Sequence, residues 1–277
     1  MTVIAITGST GHIGHAVADQ LSDLSPTLVV RDAAKAPTIT GSPVVVTDYA
    51  DASNSVRALE GVDVLFMVSA SESKFRRVQH RTFIEAATAA GVSHIVYTSF
   101  FGADPDAVFT LGRDHADAEA AIRASGMKFT LLRNNFYSDL LPWFADHSGV
   151  IRGPAGDGRV AAVARADVAD VAAGILRNPA RHAGVTYELT GPEALTLHEV
   201  AGRAGAVIGR TMRYQPETED EAYASRAHYE AEQWQLDAWV STYTAIADGG
   251  TERVTDHVER VSGHRARTIE EALAGQG

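Results

Sequence analysis

The 277-residue chain contains no cysteine, which excludes disulfide bonds, thiolate metal sites and a thiol nucleophile. It has no apolar run long enough to cross a bilayer, so we expect no membrane span. We also expect no secretory segment, because the N-terminus enters an apolar strand at once. The net charge of −11 argues against nonspecific binding to nucleic acid. Together these absences predict a cytoplasmic protein with a small-molecule partner.

What the sequence does contain is a glycine-rich turn, Gly8-Ser9-Thr10-Gly11-His12-Ile13-Gly14, between an apolar strand and a helical pattern. The first glycine permits a sharp turn, the second a close approach of backbone to a pyrophosphate, and the third close packing of helix on strand. Free N–H groups and the helix dipole would then face an anion. The spacing is G-x-x-G-x-x-G, so a turn without a ligand is the alternative. Its place between strand and helix favours a dinucleotide site.

Apolar strands and amphipathic helices alternate along the first 150 residues. Six strands are predicted, at residues 3–6, 26–30, 43–46, 62–68, 94–99 and 129–133. This rhythm predicts an α/β fold, a Rossmann-type doubly wound parallel sheet. Because the character of the sequence changes after Gly149, we predict an NAD(P)-binding domain over residues 1–150. Residues 151–277 would form a smaller, mostly α substrate domain, with segments partly interleaved with the first.

Two local predictions concern the second part of the chain. Asp167 is a candidate N-cap for a helix that follows it. Residues 217–247 are expected to be helical and are rich in Tyr and Trp. These aromatic side chains would either pack a core or cover a cleft, and they could also serve a homodimer interface.

The ends of two strands carry candidate cofactor contacts. Arg31 and Asp32 end the second strand, where the adenosine ribose lies in this fold. Arg31, with Lys35 one turn later, predicts NADPH in preference to NADH. The alternative is that Asp32 binds the ribose and Arg31 is a solvated charge. Ser69-Ala70-Ser71 ends the fourth strand, and such small residues let a cofactor lie close to the backbone.

Several catalytic signatures are missing. No H-E-x-x-H pattern is present, and His12 and His15 lack a third ligand at metal spacing, so no metal site is predicted. The G-x-S-x-G motif that is typical of hydrolases is also absent from the sequence. No tyrosine is followed four positions later by lysine, the pair that usually protonates an alkoxide formed by hydride transfer. An acceptor reduced here should therefore need little protonation, as is true of quinones, flavin-like rings and conjugated cations.

His115 and Tyr137 are the candidate catalytic residues. His115 precedes the sixth strand and could hydrogen-bond an acceptor oxygen or donate a proton near neutral pH. Its alternative role is that of a surface or ribose-orienting histidine. Tyr137 follows the sixth strand, on the side where ligands should lie, and could hold a substrate oxygen or stack on a ring. Its alternative role is packing.

Ten short segments distributed along the chain form a recognisable set. They are Ile4–His15, Val30–Ala36, Asp48-Tyr49, Gln79-His80-Arg81, Ala90-Gly91-Val92, Tyr97-Thr98-Ser99, Thr130–Asn134, Tyr137-Ser138, Gly156-Asp157-Gly158 and Arg165-Ala166-Asp167. Taken together, these segments resemble the NmrA-like atypical short-chain dehydrogenases, and most of all the branch of NADPH:quinone oxidoreductase type 2 and triphenylmethane reductase. The resemblance covers residues 1–210 well and the remainder loosely.

The resemblance implies NADPH between a Rossmann domain and a smaller domain. It implies that the glycine turn, from Gly8 through Thr10, Gly11, His12 and Ile13 to Gly14, holds the pyrophosphate and that Arg31 binds the 2′-phosphate. Ser69, Ala70 and Ser71 would line the cofactor. Asn135 to Tyr137, with Arg165, would close over the nicotinamide. His115 occupies the position of a catalytic lysine in isoflavone-reductase-like enzymes.

The function predicted is hydride transfer from NADPH to a quinone or a similar conjugated acceptor. A different class of protein, a redox-sensing regulator that binds NAD(P) without turnover, also fits the missing tyrosine–lysine pair. No basic or partner-binding extension supports that alternative. A nucleotide-sugar epimerase is disfavoured because it would need the tyrosine and the lysine.

Overall fold

The computed structural model describes residues 2–275, which contain eleven strands and ten α-helices. The strands are β1 (Ile4–Thr7), β2 (Thr27–Val30), β3 (Val44–Val46), β4 (Val64–Met67), β5 (His94–Phe100), β6 (Lys128–Asn134), β7 (Val150–Gly153), β8 (Arg159–Val160), β9 (Val185–Leu189), β10 (Leu195–Thr196) and β11 (Arg213–Pro216). The helices are α1 (His12–Gln20), α2 (Ala52–Ala58), α3 (Arg76–Ala89), α4 (Thr110–Ala124), α5 (Arg165–Arg177), α6 (Leu197–Ile208), α7 (Glu219–Arg226), α8 (Gln233–Ala247), α9 (His257–Ser262) and α10 (Ile269–Ala274). None of these helices is long and apolar enough to cross a membrane.

The described chain forms two compact units. Unit 1 comprises the described residues up to Ser99, together with Asp114–Arg133 and Val168–Tyr187. Unit 2 comprises Phe100–Arg113, Asn134–Asp167 and the described residues from Glu188 onward. The domain boundary expected near residue 150 stays a prediction.

Unit 1 is built on a seven-stranded sheet in the order β3-β2-β1-β4-β5-β6-β9. The strands from β3 to β5 pair in parallel. The strand order reverses between β1 and β4, which is the topological switch point where ligands bind in doubly wound sheets. The predicted Rossmann-type α/β fold is therefore confirmed. Strand β9 (Val185–Leu189), which lies beyond the six strands predicted in the first 150 residues, is the seventh member of this sheet.

The core of unit 1 explains why its strands are apolar throughout. All four residues of β4 are buried, because helices cover both faces of a parallel sheet. Leu65 and Met67 of β4 share a core cluster with Ile95 of β5 and with Phe83 on α3. This packing fixes the ends of the central strands, from which the candidate site is built.

Unit 2 contains two small two-stranded sheets with helices beside them. Strand β7 pairs with β11 in parallel, and β8 pairs with β10 in the antiparallel sense. Its own core cluster includes Ile151, Tyr214, Tyr243 and Ile246. Tyr243 thus packs in a core rather than covering a cleft.

Two local predictions are wrong. Helix α5 begins at Arg165, so Asp167 is its third residue. Its carboxylate accepts a hydrogen bond from the Arg267 backbone N–H (2.8 Å) and pairs with the Arg267 guanidinium, instead of capping the helix. The helix expected over residues 217–247 is interrupted: α7 ends at Arg226, and Glu230 adopts a left-handed φ of 51°. An L-residue in that conformation ends a helical run.

Candidate active site

The turn after β1 needs glycine at two positions. Gly8 has a φ of +65°, and a Cβ there would lie 2.8 Å from the Cβ of Val68. A Cβ at Gly14 would lie 2.3 Å from the Gly8 carbonyl oxygen, closer than real side chains approach. Gly14 therefore lets α1 pack directly on the turn. Within the described chain no side chain caps this helix, whose N-cap residue is Gly11.

A pocket of about 350 Å³ lies beside this turn, within unit 1. Its walls come from the carboxyl ends of β1, β2, β3 and β4, which are neighbours in the sheet. The lining residues are Thr7, Gly8, Thr10, Val29, Val30, Arg31, Thr47, Asp48, Tyr49, Gln79 and the segment 68–73. Its volume and position are those of a small-molecule site in an open α/β sheet.

Six of the predicted cofactor-binding residues line this one pocket: Gly8, Thr10, Arg31, Ser69, Ala70 and Ser71. The other four predicted residues of the glycine turn, 11–14, cap and open α1 directly after Gly8 and Thr10. The structure thus brings the whole unit 1 part of the predicted set to one edge of the sheet. Asn135, Tyr137 and Arg165 belong to unit 2.

Arg31 and Asp32 have different surroundings. Arg31 is exposed and lines the pocket. Asp32 is the N-cap of a 3₁₀ turn over Ala33–Lys35, and its Oδ1 accepts a hydrogen bond from the Ala34 N–H at 3.0 Å. One oxygen of the Asp32 carboxylate thus caps that turn, and the assignment of Arg31 as the cofactor contact at this strand end stays a prediction.

Tyr49 is a pocket residue that the sequence analysis did not single out as a site residue. Its hydroxyl lies 2.6 Å from Thr7 Oγ1 and 2.6 Å from the Val68 carbonyl oxygen. Its ring stacks on Phe83, with centroids 4.1 Å apart. Burial raises the pKa of Tyr49, so the phenol stays neutral and ties the ends of β1 and β4 together. Its place three residues after the end of β3 was the available signal.

A buried polar cluster lies next to the pocket and includes His115. Arg76 of α3 lies with its Nη2 3.0 Å from His115 Nε2, and the Tyr97 hydroxyl lies 3.0 Å from His115 Nδ1. His80, one turn after Arg76, faces the same hydroxyl at 3.5 Å. We name Arg76, His80, Tyr97 and His115 the buried polar cluster. All four side chains are almost fully buried.

Burial sets the charge of this cluster. Desolvation, and then the charge of Arg76, holds the pKa of His115 well below its usual range and lowers the pKa of His80 to about 3. Both imidazoles are therefore neutral at pH 7. The expectation that His115 donates a proton near neutral pH needs correction for this reason, and it is not a surface histidine either, at 6% exposure. Its catalytic assignment stays a prediction.

The predicted residues of unit 2 make mainly structural contacts. Asn135 is buried; its Nδ2 donates to the Thr251 carbonyl at 2.9 Å, and its Oδ1 accepts from the Phe136 N–H. Arg165 Nε donates to Asp139 Oδ2 at 2.7 Å, in an ion pair that is largely buried. The Tyr137 hydroxyl lies 3.3 Å from Asn134 Nδ2. Asn134 Oδ1 is buried without a hydrogen-bond partner among the described residues.

Three partly exposed phenylalanines of unit 2 form an aromatic cluster that the sequence analysis missed. Phe100 lies 4.7 Å from Phe109 and 5.0 Å from Phe136, measured between ring centroids. Phe109 and Phe136 are 5.2 Å apart. The three residues are spaced 9 and 27 positions apart and follow no helical or strand period, so no local pattern could have grouped them.

Comparison with known proteins agrees with this geometry. Residues 8–179 match the NAD(P)H-binding family. Quinone oxidoreductase 2 of Escherichia coli K12 is 34% identical over 282 residues, covering 98% of both chains. A crystal structure of the NADPH-dependent quinone oxidoreductase of E. coli with NADPH matches 99% of both chains, with a TM-score of 0.88 and 34% identity. Triphenylmethane reductase of Citrobacter sp. with NADP(H) is 28% identical and matches 98% of this chain and 99% of its own, with a TM-score of 0.85.

Proposed function

Because the chain belongs to the NAD(P)H-binding family, we propose that it is an NADPH-dependent oxidoreductase acting on a quinone or a similar conjugated acceptor. The observation that carries this proposal is the pocket at the carboxyl ends of β1 to β4, bordered by the glycine turn and by Arg31. The relatives named above support both the cofactor and the class of acceptor. The predicted resemblance to the NmrA-like reductases is confirmed.

The residues of the pocket fit NADPH. The first α-helical hydrogen bond of α1 runs from the His15 N–H to the Gly11 carbonyl, so the N–H groups of residues 12–14 are available to a pyrophosphate. Arg31 supplies the positive charge that a 2′-phosphate requires. Ser69, Ala70 and Ser71 present small side chains and backbone to the same pocket.

The choice of acceptor follows from the groups around the site. Bound NADPH supplies the hydride. The buried polar cluster contributes no proton donor near neutral pH, because His80 and His115 are neutral at pH 7 and burial raises the pKa of Tyr97. An acceptor that delocalises the incoming charge, such as a quinone or a conjugated cation, needs no such acid. A simple ketone, which forms a localised alkoxide, would need one.

The remaining predicted contacts are part of this proposal. His115 would act as a neutral hydrogen-bonding group, and Tyr137 would hold the acceptor, with Asn135 and Arg165 near the nicotinamide. The cluster of Phe100, Phe109 and Phe136 supports an aromatic acceptor, since partly exposed rings favour stacking with a flat molecule. A cytoplasmic location and a homodimer stay predictions.

The test is oxidation of NADPH, with NADH in parallel, against benzoquinones, naphthoquinones and cationic triphenylmethane dyes. We expect turnover with at least one of these classes and a preference for NADPH. Tight binding of NADPH without turnover across the panel would instead favour the redox-sensing regulator. Absence of NADPH binding would contradict both functions.

A further inference from the structure

Ala70 lines the cofactor pocket, and both its backbone N–H and its backbone carbonyl are bound by side chains of α3. Its N–H donates to His80 Nε2 at 2.9 Å, and its carbonyl accepts a hydrogen bond from Arg76 Nε at 2.9 Å. Arg76 and His80 are four residues apart, so they project from the same face of one helix. The neighbouring Ser69 N–H is bound in turn by Thr98 Oγ1 at 2.8 Å. The backbone at Ser69 and Ala70 is thereby held by side chains of α3 and β5.

The bonding pattern determines where the protons of the histidines lie. Because the Ala70 N–H can only donate, His80 Nε2 must accept, and the proton of the neutral ring is on Nδ1. Arg76 likewise can only donate to His115 Nε2, which places the proton of that ring on Nδ1. Both Nδ1 atoms face the Tyr97 hydroxyl. A neutral, oriented His80 is therefore built into the contact with Ala70.

Such a contact is costly for the fold. Arg76 is only 5% exposed, and a buried guanidinium must be compensated by other groups. Asp114 lies 3.7 Å from it, and His115 and the Ala70 carbonyl take up further donors. An apolar helix face would pack beneath the loop at less cost, but it would leave the Ala70 N–H and carbonyl without partners.

We propose that Arg76 and His80 are positioning residues for the cofactor, which fix the Ala70 peptide so that segment 69–71 is preorganised for binding. This inference rests on the proposed function. Neither residue needs to touch NADPH; each acts through the Ala70 backbone. A loop that is ordered before binding saves the free energy of ordering it, so the effect belongs in the cofactor affinity.

The decisive variants are His80→Leu, which keeps the volume but removes the acceptor, and His80→Gln, whose amide oxygen can accept the Ala70 N–H. We expect His80→Leu to raise the Kd for NADPH at least fivefold, measured by titration calorimetry, and His80→Gln to restore most of the affinity. With a quinone acceptor, the KM for NADPH should rise in parallel. The kcat at saturating NADPH should change less than twofold.

The matched control is His94→Leu. His94 is also buried in unit 1, but it bonds the Thr130 hydroxyl at 2.9 Å and does not line the pocket. We expect His94→Leu to lose about as much thermal stability as His80→Leu but to keep the wild-type Kd for NADPH. Equal weakening of NADPH binding in both leucine variants would overturn this inference and leave the proposed function unaffected. Wild-type affinity in a folded His80→Leu variant would do the same. A wild-type protein that fails to bind NADPH would overturn the proposed function as well.

Arg76→Lys provides a second variant in case His80→Leu does not fold. It keeps a positive charge near Asp114 but removes the Nε donor to the Ala70 carbonyl. We expect at least a threefold higher Kd for NADPH. Unchanged affinity in this variant would also contradict a positioning role.

Discussion

Two arginines of unit 1 lie at the same pocket but differ in their burial. Arg31 is exposed and lines the pocket itself, whereas Arg76 is 5% exposed and contacts the pocket lining through the Ala70 carbonyl. An exposed guanidinium stays hydrated until a ligand arrives, so it can recognise an anion. A buried guanidinium must already be satisfied by the protein, so it can only hold other groups in place. Burial thus distinguishes the recognition role proposed for Arg31 from the positioning role proposed for Arg76.

The largest expected effect comes from removing the buried arginine. Arg76→Met leaves the Ala70 carbonyl and His115 Nε2 without the donors they bind now. We expect a loss of about 2–4 kcal/mol in the free energy of unfolding, measured with urea, and at least tenfold weaker NADPH binding.

Arg77→Met is the control for that change. Arg77 is the next residue on α3 and also pairs with Asp114, but its side chain is 51% exposed. Because the Arg77 guanidinium is half exposed and Asp114 keeps Arg76 nearby, we expect a stability change below about 1 kcal/mol and normal NADPH affinity. Similar losses in the two methionine variants would remove the distinction between the buried and the exposed arginine.

Removing the exposed arginine should act on one cofactor only. Arg31→Ala deletes the proposed charge-assisted contact to the 2′-phosphate, so NADPH should bind about ten- to a hundredfold more weakly while NADH is nearly unaffected. Unfolding stability should stay near that of the wild type. Isothermal titration with each cofactor measures the two affinities, and urea unfolding measures the stability.

Asp32→Asn tests the alternative at the same strand end. The amide oxygen can still cap the Ala33–Lys35 turn, and only the carboxylate charge is lost. We expect unchanged affinity for both cofactors. Weaker NADH binding in this variant, with equal losses of NADPH and NADH in Arg31→Ala, would transfer the ribose contact to Asp32.

The same contrast explains which parts of the site could be predicted from the sequence. Gly8, Arg31 and Ser69–Ser71 lie at strand ends, and the strand pattern together with the rule for doubly wound sheets brings them to one edge. The buried polar cluster draws on α3, β5 and α4, and only tertiary packing joins these elements. The four-residue spacing of Arg76 and His80 was visible in the sequence. Their common partner, a backbone peptide, was not.

His115 shows the limit of residue-type reasoning. A histidine is expected to titrate near neutral pH, yet desolvation and the neighbouring Arg76 keep this one neutral. Its place before the sixth strand could be predicted from the sequence, but its burial depends on the packing of α4 beside β5. The chemistry assigned to it therefore changes even though the candidate residue stays the same.

A smaller effect is expected from His115→Ala, measured in steady-state kinetics with a quinone acceptor. If His115 only supports Arg76 and Tyr97, the KM for NADPH should rise about three- to tenfold with kcat nearly unchanged. A fall in kcat at saturating NADPH would instead support the predicted role of His115 at the acceptor, and would separate its role from the positioning role proposed for Arg76 and His80.

The smallest expected effect is a change in the pH dependence of stability. An unfolded histidine takes up a proton near pH 6.5, whereas burial and the charge of Arg76 lower the pKa of His80 to about 3 in the folded protein. Between these values the unfolded state binds more protons, so the free energy of unfolding decreases as the pH falls. For one such histidine the loss between pH 7 and pH 6 is about 0.7 kcal/mol. His80→Gln removes this contribution, so its loss in urea unfolding over that interval should be smaller than that of the wild type by this amount. Equal losses in the two proteins would mean that His80 titrates like an exposed histidine. His80 could not then be a permanently neutral acceptor for the Ala70 N–H.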